Sequence, residues 1–362
     1  MRVVTHAASN VAHQETPPEV FWDALFRDTK GRIVSPPGLD APVADSHAHL
    51  DMLHHPALSL ARASAHGVDF IVTIVDPTED PLYTFQNLAE WKTGAHALLD
   101  EWHGNALREH DKKDAPGTSV IHNHAPALPT HVPDLRVIVG CHPHNASKYT
   151  VQVERIIIKA AGQPITGAIG EIGLDYHYDL SPRFVQQEVF KRQLELANEM
   201  LLPVVLHLRE AHEDGLRILQ EQGMPLAGTL LHCFNLDFAT LKPFLDLGCF
   251  VAFGGALTFK KADEVRDAAR QTPLSRIMTE TDAPFMAPHP VRGVICGPEH
   301  TVFTAAALVE AHGVQGREAI QLLTQVYENT RRFFDRDTSS WQDNPKAQEV
   351  LYAHAKGVRS NG

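Results

Sequence analysis

From Val43 onward, short apolar segments alternate with longer stretches whose apolar residues recur at helical spacing. A short apolar run bounded by turn residues is typical of a buried strand, and strands that alternate with helices are typical of βα units. Eight strands are predicted, at 43–47, 70–75, 136–140, 165–169, 204–207, 229–232, 250–253 and 277–281. This pattern predicts an α/β protein with a (β/α)8 TIM barrel, whose active site lies at the carboxyl ends of the strands.

Amphipathic segments between and after the strands predict the helices of the barrel. They lie at 57–65, 84–99, 183–200, 215–222, 238–247 and 261–269, followed by two closing helices at 301–311 and 317–334. The helix at 183–200 carries Val185, Val189 and Leu196 on one face, and Ser181-Pro182 is placed as a cap and first-turn proline.

The chain of 362 residues divides into a barrel domain and less regular flanks. The barrel is assigned to 40–335, a partly disordered N-terminal arm to 1–39, and a C-terminal tail to 336–362. Within the arm, 21–26 is compatible with a helical turn or two. Within the barrel, about 98–132 exceeds what one helix and its loops need, and we assign it as an insertion.

Composition narrows the class of function. Hydrophobic residues make up 43% and charged residues 21%, and no apolar run approaches the roughly 20 residues of a membrane helix. Residues 1–14 lack the basic start and apolar core of an export signal, so a cytoplasmic location is expected. The formal net charge of −12 disfavours binding of a long polyanion through a broad basic surface.

The four cysteines are scattered and form no Cys-x-x-Cys pair; they are Cys141, Cys233, Cys249 and Cys296. Neither disulfides nor a thiolate zinc site is expected from this spacing, and we interpret the four as buried reduced thiols.

Residues able to bind a metal stand at the carboxyl ends of several predicted strands. His47 and His49 are two apart and therefore share one face of a strand. The other such residues are His142, His144, Glu171, His207, His232 and Asp282. Each alone has a structural alternative, such as a hydrogen-bonded core histidine or an aspartate that starts a turn. Together at one rim, they predict a metal centre.

Six segments resemble the signature motifs of TatD-family metal-dependent hydrolases, in the same order. They are Asp45-Ser46-His47-Ala48-His49-Leu50-Asp51, Gly140-Cys141-His142-Pro143-His144, Gly170-Glu171-Ile172-Gly173-Leu174-Asp175, Pro203-Val204-Val205-Leu206-His207, Leu231-His232-Cys233-Phe234 and Glu280-Thr281-Asp282-Ala283-Pro284. The resemblance implies a metallo-dependent barrel with two divalent ions that acts as a deoxyribonuclease or related phosphodiester hydrolase. Some similar proteins are linked instead to removing D-amino acids from tRNA.

Carried over by residue, the resemblance assigns one ion to His47, His49 and Asp282 and a second to His207 and His232. Glu171 would bridge the two, whereas the broader amidohydrolases usually place a carboxylated lysine at this position. The chemistry agrees, since bridged divalent ions polarise a phosphoryl or acyl oxygen and turn a bound water into hydroxide near neutral pH.

Asp282 and Glu171 are the catalytic candidates, with Asp282 accepting the proton of the water at the open end of the site. Imidazole and carboxylate ligands suit Zn, Mn, Fe or Ni, and Mg when substrate oxygens complete the shell, so the metal stays open.

Four residues are candidates for binding substrate: His142, His144, Arg209 and Arg292. The arginines suit a fork-like contact to phosphate, although Arg209 could equally be a solvated surface charge, and the histidines could equally belong to a hydrogen-bonded turn. After Arg292-Gly293 the chain departs from the family pattern, because 294–297 replaces the usual Asn and basic residues. This departure concerns the substrate more than the metal site.

The insertion is rich in histidine. His96, His103 and His110 recur every seven residues, and His122, His124 and His131 follow. A second metal site is one interpretation. We favour a solvated surface instead, because a segment between the second helix and the third strand emerges on the barrel face opposite the active site.

The function expected is divalent-metal-dependent cleavage of phosphodiester bonds at DNA ends by a metal-bound hydroxide. The alternatives that use the same centre are a D-aminoacyl-tRNA deacylase and a small-molecule amidohydrolase. A non-catalytic metal-binding scaffold is a further alternative, although a scaffold has no chemical need for six ligands. The chain is expected to act as a monomer on nucleic-acid ends, without a membrane.

Overall fold

A computed structural model describes residues 25–80, 82–113 and 131–335, with the side chains of 105–113 left aside. Ten strands lie in two sheets. They are β1 (Phe26–Arg27), β2 (Ile33–Val34), β3 (Val43–Ala48), β4 (Val68–Val75), β5 (Asp134–Val139), β6 (Thr166–Asp175), β7 (Val204–Arg209), β8 (Thr229–Leu231), β9 (Phe250–Phe253) and β10 (Ile277–Thr279). The eight predicted strands correspond to β3 to β10, with ends that shift by a few residues.

The strands β3 to β10 form one parallel sheet in which each strand pairs with its neighbour in the chain. The first and last strands meet just beyond their ends. The amide of Asp282 donates to the carbonyl of His47 at 2.9 Å, and the amide of His49 donates to the carbonyl of Ala283 at 2.8 Å. These bonds nearly close the barrel, and the predicted (β/α)8 fold is confirmed.

Nine helices are described. They are α1 (Pro56–Ala65), α2 (Tyr83–Lys113), α3 (Val151–Ala161), α4 (Arg183–Met200), α5 (His212–Gln222), α6 (Phe238–Asp246), α7 (Asp263–Gln271), α8 (Thr301–His312) and α9 (Arg317–Phe334). No helix in the described residues is both long and apolar enough to cross a membrane.

Two helices differ from the sequence prediction. The second was expected to end near residue 99, but α2 continues to Lys113 and takes up the first part of the insertion. The helix α3 was not predicted; the side chain of Thr150 accepts from the amide of Val153 and caps it, and Ile157 and Ile158 are buried beneath it. The apolar run 156–158 is short enough to be overlooked as a helix face.

The barrel interior is apolar at the amino ends of the strands. Inward-facing side chains from all eight strands form one buried cluster; they include Ala44, Phe70, Ile138, Ala168, Val205, Leu230, Ala252 and Met278. Phe333 and Phe334, at the end of α9, join this cluster and cover that end of the barrel. Polar side chains can therefore gather inside the barrel only toward the carboxyl ends.

The described part of the N-terminal arm is a two-stranded antiparallel ribbon, not a helical turn. In the ribbon, Asp28 Oδ1 accepts from the amides of Lys30 and Arg32, and Gly31 has a φ of 75°, so a tight turn forms. Phe26 lies in β1 and is buried against Phe303, whereas 21–24 lie outside the described residues. The arm thus contributes a core residue to the barrel.

The insertion histidines do not converge where the structure describes them. His96 and His103 lie on α2, and His103 Nδ1 is 2.7 Å from the carbonyl of Leu99. His131 pairs with Asp69, near the amino end of β4 and thus opposite the predicted active site. The side chain of His110, together with His122 and His124, lies outside the described residues, as do Trp341 and Tyr352 of the tail.

The packing of α9 on the barrel predicts a strict size limit at Gly167. A Cβ at this position would lie 2.7 Å from the carbonyl oxygen of Phe334. We expect Gly167→Ala to lower the free energy of unfolding by about 1–3 kcal/mol, as overpacking does. Thermal or urea unfolding measures this loss. The control is Gly38→Ala, where nothing lies within 4 Å, and an equal effect of both substitutions would contradict the packing argument.

Candidate metal centre

The carboxylate of Glu171 lies at the centre of a cluster of histidines near the carboxyl ends of the strands. Its Oε1 is 2.7 Å from Nδ1 of His207 and 2.7 Å from Nε2 of His232. Its Oε2 is 3.4 Å from Nε2 of His47 and 3.9 Å from Nε2 of His49. The two oxygens of one carboxylate therefore face two different pairs of imidazoles.

The elements of the barrel explain this convergence. Glu171 is in β6, His207 is in β7, and His232 directly follows β8. His47 is in β3 and His49 is one residue beyond its end. Parallel strands of a barrel present their carboxyl ends at one rim, which brings together residues far apart in the chain.

Asp282 completes the group on the side of β3. Its Oδ1 lies 3.9 Å from Nε2 of His47 and 3.7 Å from Nε2 of His49. The hydrogen bonds that join β3 and β10 hold Asp282 in this place. Its side chain is 17% exposed, against 5% for Glu171 and none for His47, so solvent reaches Asp282 more readily.

Three buried carboxylates behind the cluster had no role in the sequence analysis. Asp45 accepts from the amide and hydroxyl of Thr281, and so ties β3 to the residues after β10. Glu280 accepts from the amide of Cys233, and its Oε1 lies 3.7 Å from Nδ1 of His232. Asp45 thus fixes the segment that follows β10, and Glu280 places a second carboxylate beside the ring of His232.

Asp175 is the third of these carboxylates. Its Oδ2 lies 3.0 Å from Nε2 of His207 and 2.8 Å from Nε2 of His144. The spacing could have revealed its role, because Glu171 and Asp175 are four apart on one strand and so share a face.

The two histidines predicted to bind substrate occupy different places. His142 Nε2 is 3.6 Å from Oε1 of Glu171, and the ring of His142 lies 4.5 Å from that of His207, between centroids. His144 is held by Asp175 and does not share the Glu171 contact among the described ion pairs. The structure thus brings His142 into the cluster and leaves His144 beside it.

The two predicted arginines lie at the rim. Arg209, the last residue of β7, is exposed, and its guanidinium lies 4.7 Å from the ring centroid of Tyr178. The guanidinium of Arg292 lies 4.0 Å from the ring centroid of Phe259. Neither arginine forms an ion pair with a residue in the described ranges.

The electrostatics of the cluster are those of an anion surrounded by imidazoles. Burial alone would raise the pKa of Glu171, but the neighbouring His232, His142 and His47 hold it well below its usual range. Burial alone would lower the pKa of His232, but the charge of Glu171 raises it well above its usual value. For His47 burial prevails and lowers the pKa, which keeps the imidazole neutral.

The donor set fits divalent metal ions. Neither ring nitrogen of His47, nor Nδ1 of His232, has a hydrogen-bond partner among the described residues, although both side chains are buried. Buried polar atoms are rarely left unpaired without a reason, and a neutral imidazole beside ionised carboxylates is what a metal requires. Ligand atoms close enough to share an ion occur in His47–His49–Glu171, His47–His232–Asp282 and His142–Glu171–His207.

The cysteines are free, and three of them are buried. Cys233 is half-buried next to His232, with its Sγ 3.9 Å from Oδ2 of Asp282. Burial raises the pKa of this thiol well above its usual value, and the nearby carboxylate of Asp282 adds to the shift. The thiol is therefore protonated at neutral pH.

Comparison with known proteins gives a family match over most of the chain. The family model described as TatD related DNase matches residues 44–335. A metal-dependent hydrolase of Bacillus subtilis, YabD, is 35% identical over 196 residues, which cover 54% of this chain and 76% of that protein.

Two relatives carry names that state a nuclease activity. The 3′-5′ ssDNA/RNA exonuclease TatD of Klebsiella pneumoniae is 31% identical over 202 residues, covering 55% of this chain and 77% of that protein. The human 3′-5′ RNA nuclease TATDN2 is 37% identical over 198 residues, covering 54% of this chain and 26% of that protein. Among solved structures, the TatD homolog YJJV of Escherichia coli K12 superposes with a TM-score of 0.62 at 23% identity, covering 81% of this chain and 98% of that one, which supports the barrel fold.

The unpaired ligand atoms predict that a divalent cation stabilises the folded chain. At about 100 times its Kd, an ion bound only by the folded state adds about 2.7 kcal/mol. For a barrel of this size, that raises Tm by about 4–5 °C. Thermal unfolding in Mn²⁺ and in EDTA measures the difference. Glu171→Ala is expected to abolish the shift, and the exposed Glu264→Ala is expected to keep it; an undiminished shift in Glu171→Ala would refute the centre.

Proposed function

The chain belongs to the TatD related DNase family and is a metal-dependent hydrolase that acts on ester bonds, and from this premise we propose that it is a deoxyribonuclease that cleaves phosphodiester bonds at DNA ends. The reaction would use a dinuclear metal centre. The observation that carries this proposal is the division of the Glu171 carboxylate, with Oε1 facing His207 and His232 and Oε2 facing His47 and His49.

The ligands divide accordingly between two ions. His47, His49 and Asp282 would hold the first, His207 and His232 the second, and Glu171 would bridge them. Divalent ions in such a pair polarise the phosphoryl oxygen and lower the pKa of a bound water. The position of His142, near Oε1 of Glu171, puts a further imidazole on the side of the second ion.

Asp282 is the residue that we assign to proton transfer. Of the two carboxylates in the cluster, it is the more exposed, and so the one that a water entering from the rim reaches first. A carboxylate within hydrogen-bond reach of the attacking water accepts its proton, while Glu171 stays enclosed by imidazoles. Asp175 and Glu280 would hold His207 and His232 in the orientation that ligation needs.

Two exposed arginines at the rim support a substrate that carries phosphates. Arg209 and Arg292 are exposed, and a guanidinium presents paired donors to phosphate oxygens. With a net charge of −12, the chain lacks the overall attraction that a long duplex would need, which favours a short terminus held by local contacts. The nuclease names of the Klebsiella and human relatives support the same class of substrate.

The ion count is the first test of the proposed centre. We expect elemental analysis of the protein purified without added metal to find about two ions per chain, as a carboxylate-bridged pair requires. Glu171→Ala should lose both ions, and His207→Ala should lose mainly one. Glu264→Ala is the matched control and should keep the parent value. One ion per chain in the parent, unchanged by His207→Ala, would contradict a dinuclear centre.

The second test concerns the reaction itself. We expect the metal-loaded protein to release mononucleotides from an end-labelled single-stranded oligonucleotide. Asp282→Asn should lower kcat by about 10²–10⁴, the usual contribution of a general base. Metal content of the variant is measured in parallel, so that loss of an ion is distinguished from loss of the proton acceptor. Hydrolysis of a D-aminoacyl ester or a small amide, with the oligonucleotide left intact, would make the nuclease proposal wrong.

A further inference from the structure

Two exposed aromatic rings stand on opposite sides of the candidate metal centre. Phe285 is 49% exposed, and its ring packs edge-to-face on His49 with 6.2 Å between centroids. Tyr178 is 54% exposed, and its ring packs edge-to-face on His144 at 5.4 Å. We propose that these two rings stack on unpaired nucleobases on either side of the phosphodiester bond that is cleaved. The inference rests on the proposed function and specifies its substrate as single-stranded.

The placement of the two rings follows from the barrel. Phe285 comes three residues after Asp282, beyond β10, and Tyr178 comes three residues after Asp175, the last residue of β6. Between them lies Glu171, whose carboxylate is 3.9 Å from His49 on the side of Phe285. On the side of Tyr178, the His144 ring lies 6.1 Å from the His207 ring, which contacts Glu171. A phosphate at the centre would thus have one aromatic ring on each side.

The backbone at both aromatic residues is bonded to the site. The amide of Phe285 donates to the carbonyl of Asp282 at 2.8 Å, and the amide of Tyr178 donates to Oδ1 of Asp175 at 2.9 Å. The backbone that carries each ring is therefore held next to a carboxylate of the site. Rigid aromatic side chains bind at low entropic cost, because few torsions are lost on contact.

The position of the two exposed rings distinguishes them from other exposed apolar residues. Single exposed apolar residues are common on protein surfaces. These two differ because each contacts a histidine at the mouth of the barrel and leaves about half of its surface to solvent. An aromatic ring beside a phosphate site is a stacking surface that any base can use.

Arg209 joins the stacking surface to the phosphate site. Its guanidinium lies over the Tyr178 ring at 4.7 Å and is free of ion pairs with the described residues. An arginine stacked on a ring keeps its N–H donors in the plane and directed outward. It can therefore contact a phosphate while the exposed part of Tyr178 contacts a base.

The charge of the chain makes local contacts of this kind necessary. With a net charge of −12, long-range attraction does not concentrate a polyanion at the site. Stacking is independent of this charge and is available only when bases are unpaired. The rings would then select single-stranded ends against paired ones.

The test compares two probes of equal charge. One is a fluorescein-labelled hexathymidylate with phosphorothioate linkages, and the other is the same chain with every thymine removed. Binding to the Mn²⁺-loaded protein is followed by fluorescence anisotropy. We expect Phe285→Leu and Tyr178→Leu each to weaken binding of the first probe by about tenfold. Binding of the base-free probe should change by less than about twofold in Phe285→Leu. In Tyr178→Leu it should weaken clearly less than binding of the first probe, because only the support of Arg209 is lost there.

Conservative variants and a surface control separate stacking from folding. Phe285→Tyr and Tyr178→Phe keep a ring and should keep the parent affinity for both probes. Leu226→Ala removes a residue that is 83% exposed, between α5 and β8 at the opposite end of the barrel, and should change neither affinity. Tm and metal content are checked for each variant, since a variant that loses its ions is expected to lose both probes.

The outcomes distinguish this inference from the proposed function. If the leucine variants keep their ions and weaken both probes equally, or weaken neither, the rings do not bind bases. If the parent cleaves unmodified hexathymidylate but binds both probes with the same affinity, the stacking inference is wrong and the nuclease proposal stands. If the parent neither cleaves the oligonucleotide nor binds either probe, the proposed function is wrong and the inference fails with it.

Discussion

A carboxylate buried inside a protein is costly unless partners of opposite charge or hydrogen-bond donors surround it. Glu171 meets this condition with five imidazoles within 4 Å, supplied by β3 and the residue after it, β7, the residue after β8 and the turn after β5. The same histidines crowd one another, since the rings of His47 and His232 stack at 4.1 Å and cannot both carry a proton comfortably. Divalent ions bound between the carboxylates and the rings would stabilise the buried charge of Glu171 without requiring neighbouring histidines to be protonated. The arrangement of side chains at the rim depends on how these charges are compensated.

A second set of contacts holds the rim in shape. Asp45 lies behind His47 and receives two hydrogen bonds from Thr281, next to Asp282. The start and the end of the barrel are thereby joined at the point where the first and last candidate ligands emerge. The strands β3 and β10 share few ladder hydrogen bonds. The hydrogen bonds to the buried Asp45 therefore help to join these two strands, as strand pairing joins the others. The contacts that close the barrel therefore also position Asp282.

The order of strands and helices could be predicted from the sequence, because apolar runs separated by amphipathic segments are a local signal. The candidate ligands could be predicted too, since the rule that sites form at carboxyl strand ends converts positions in the chain into positions in space. Asp175 shares a strand face with Glu171 and could have been found from this spacing. Glu280 needed side-chain geometry, because a buried acid and a surface acid look alike in a sequence. The helical turn expected at 21–26 was wrong for Phe26, where Asp28 and Gly31 fold the chain into a ribbon. Helix α3 was missed although Val153, Ile157 and Ala161 recur at helical spacing and Thr150 precedes it as a cap.

Phe333 and Phe334 close the amino end of the barrel, and this determines where substrate can enter and product can leave. With apolar side chains filling the described barrel at its amino end, the rim with Asp282 is the way in and also the way out. A product must leave through the opening by which the substrate enters. The next substrate can therefore enter only after the product has left this opening.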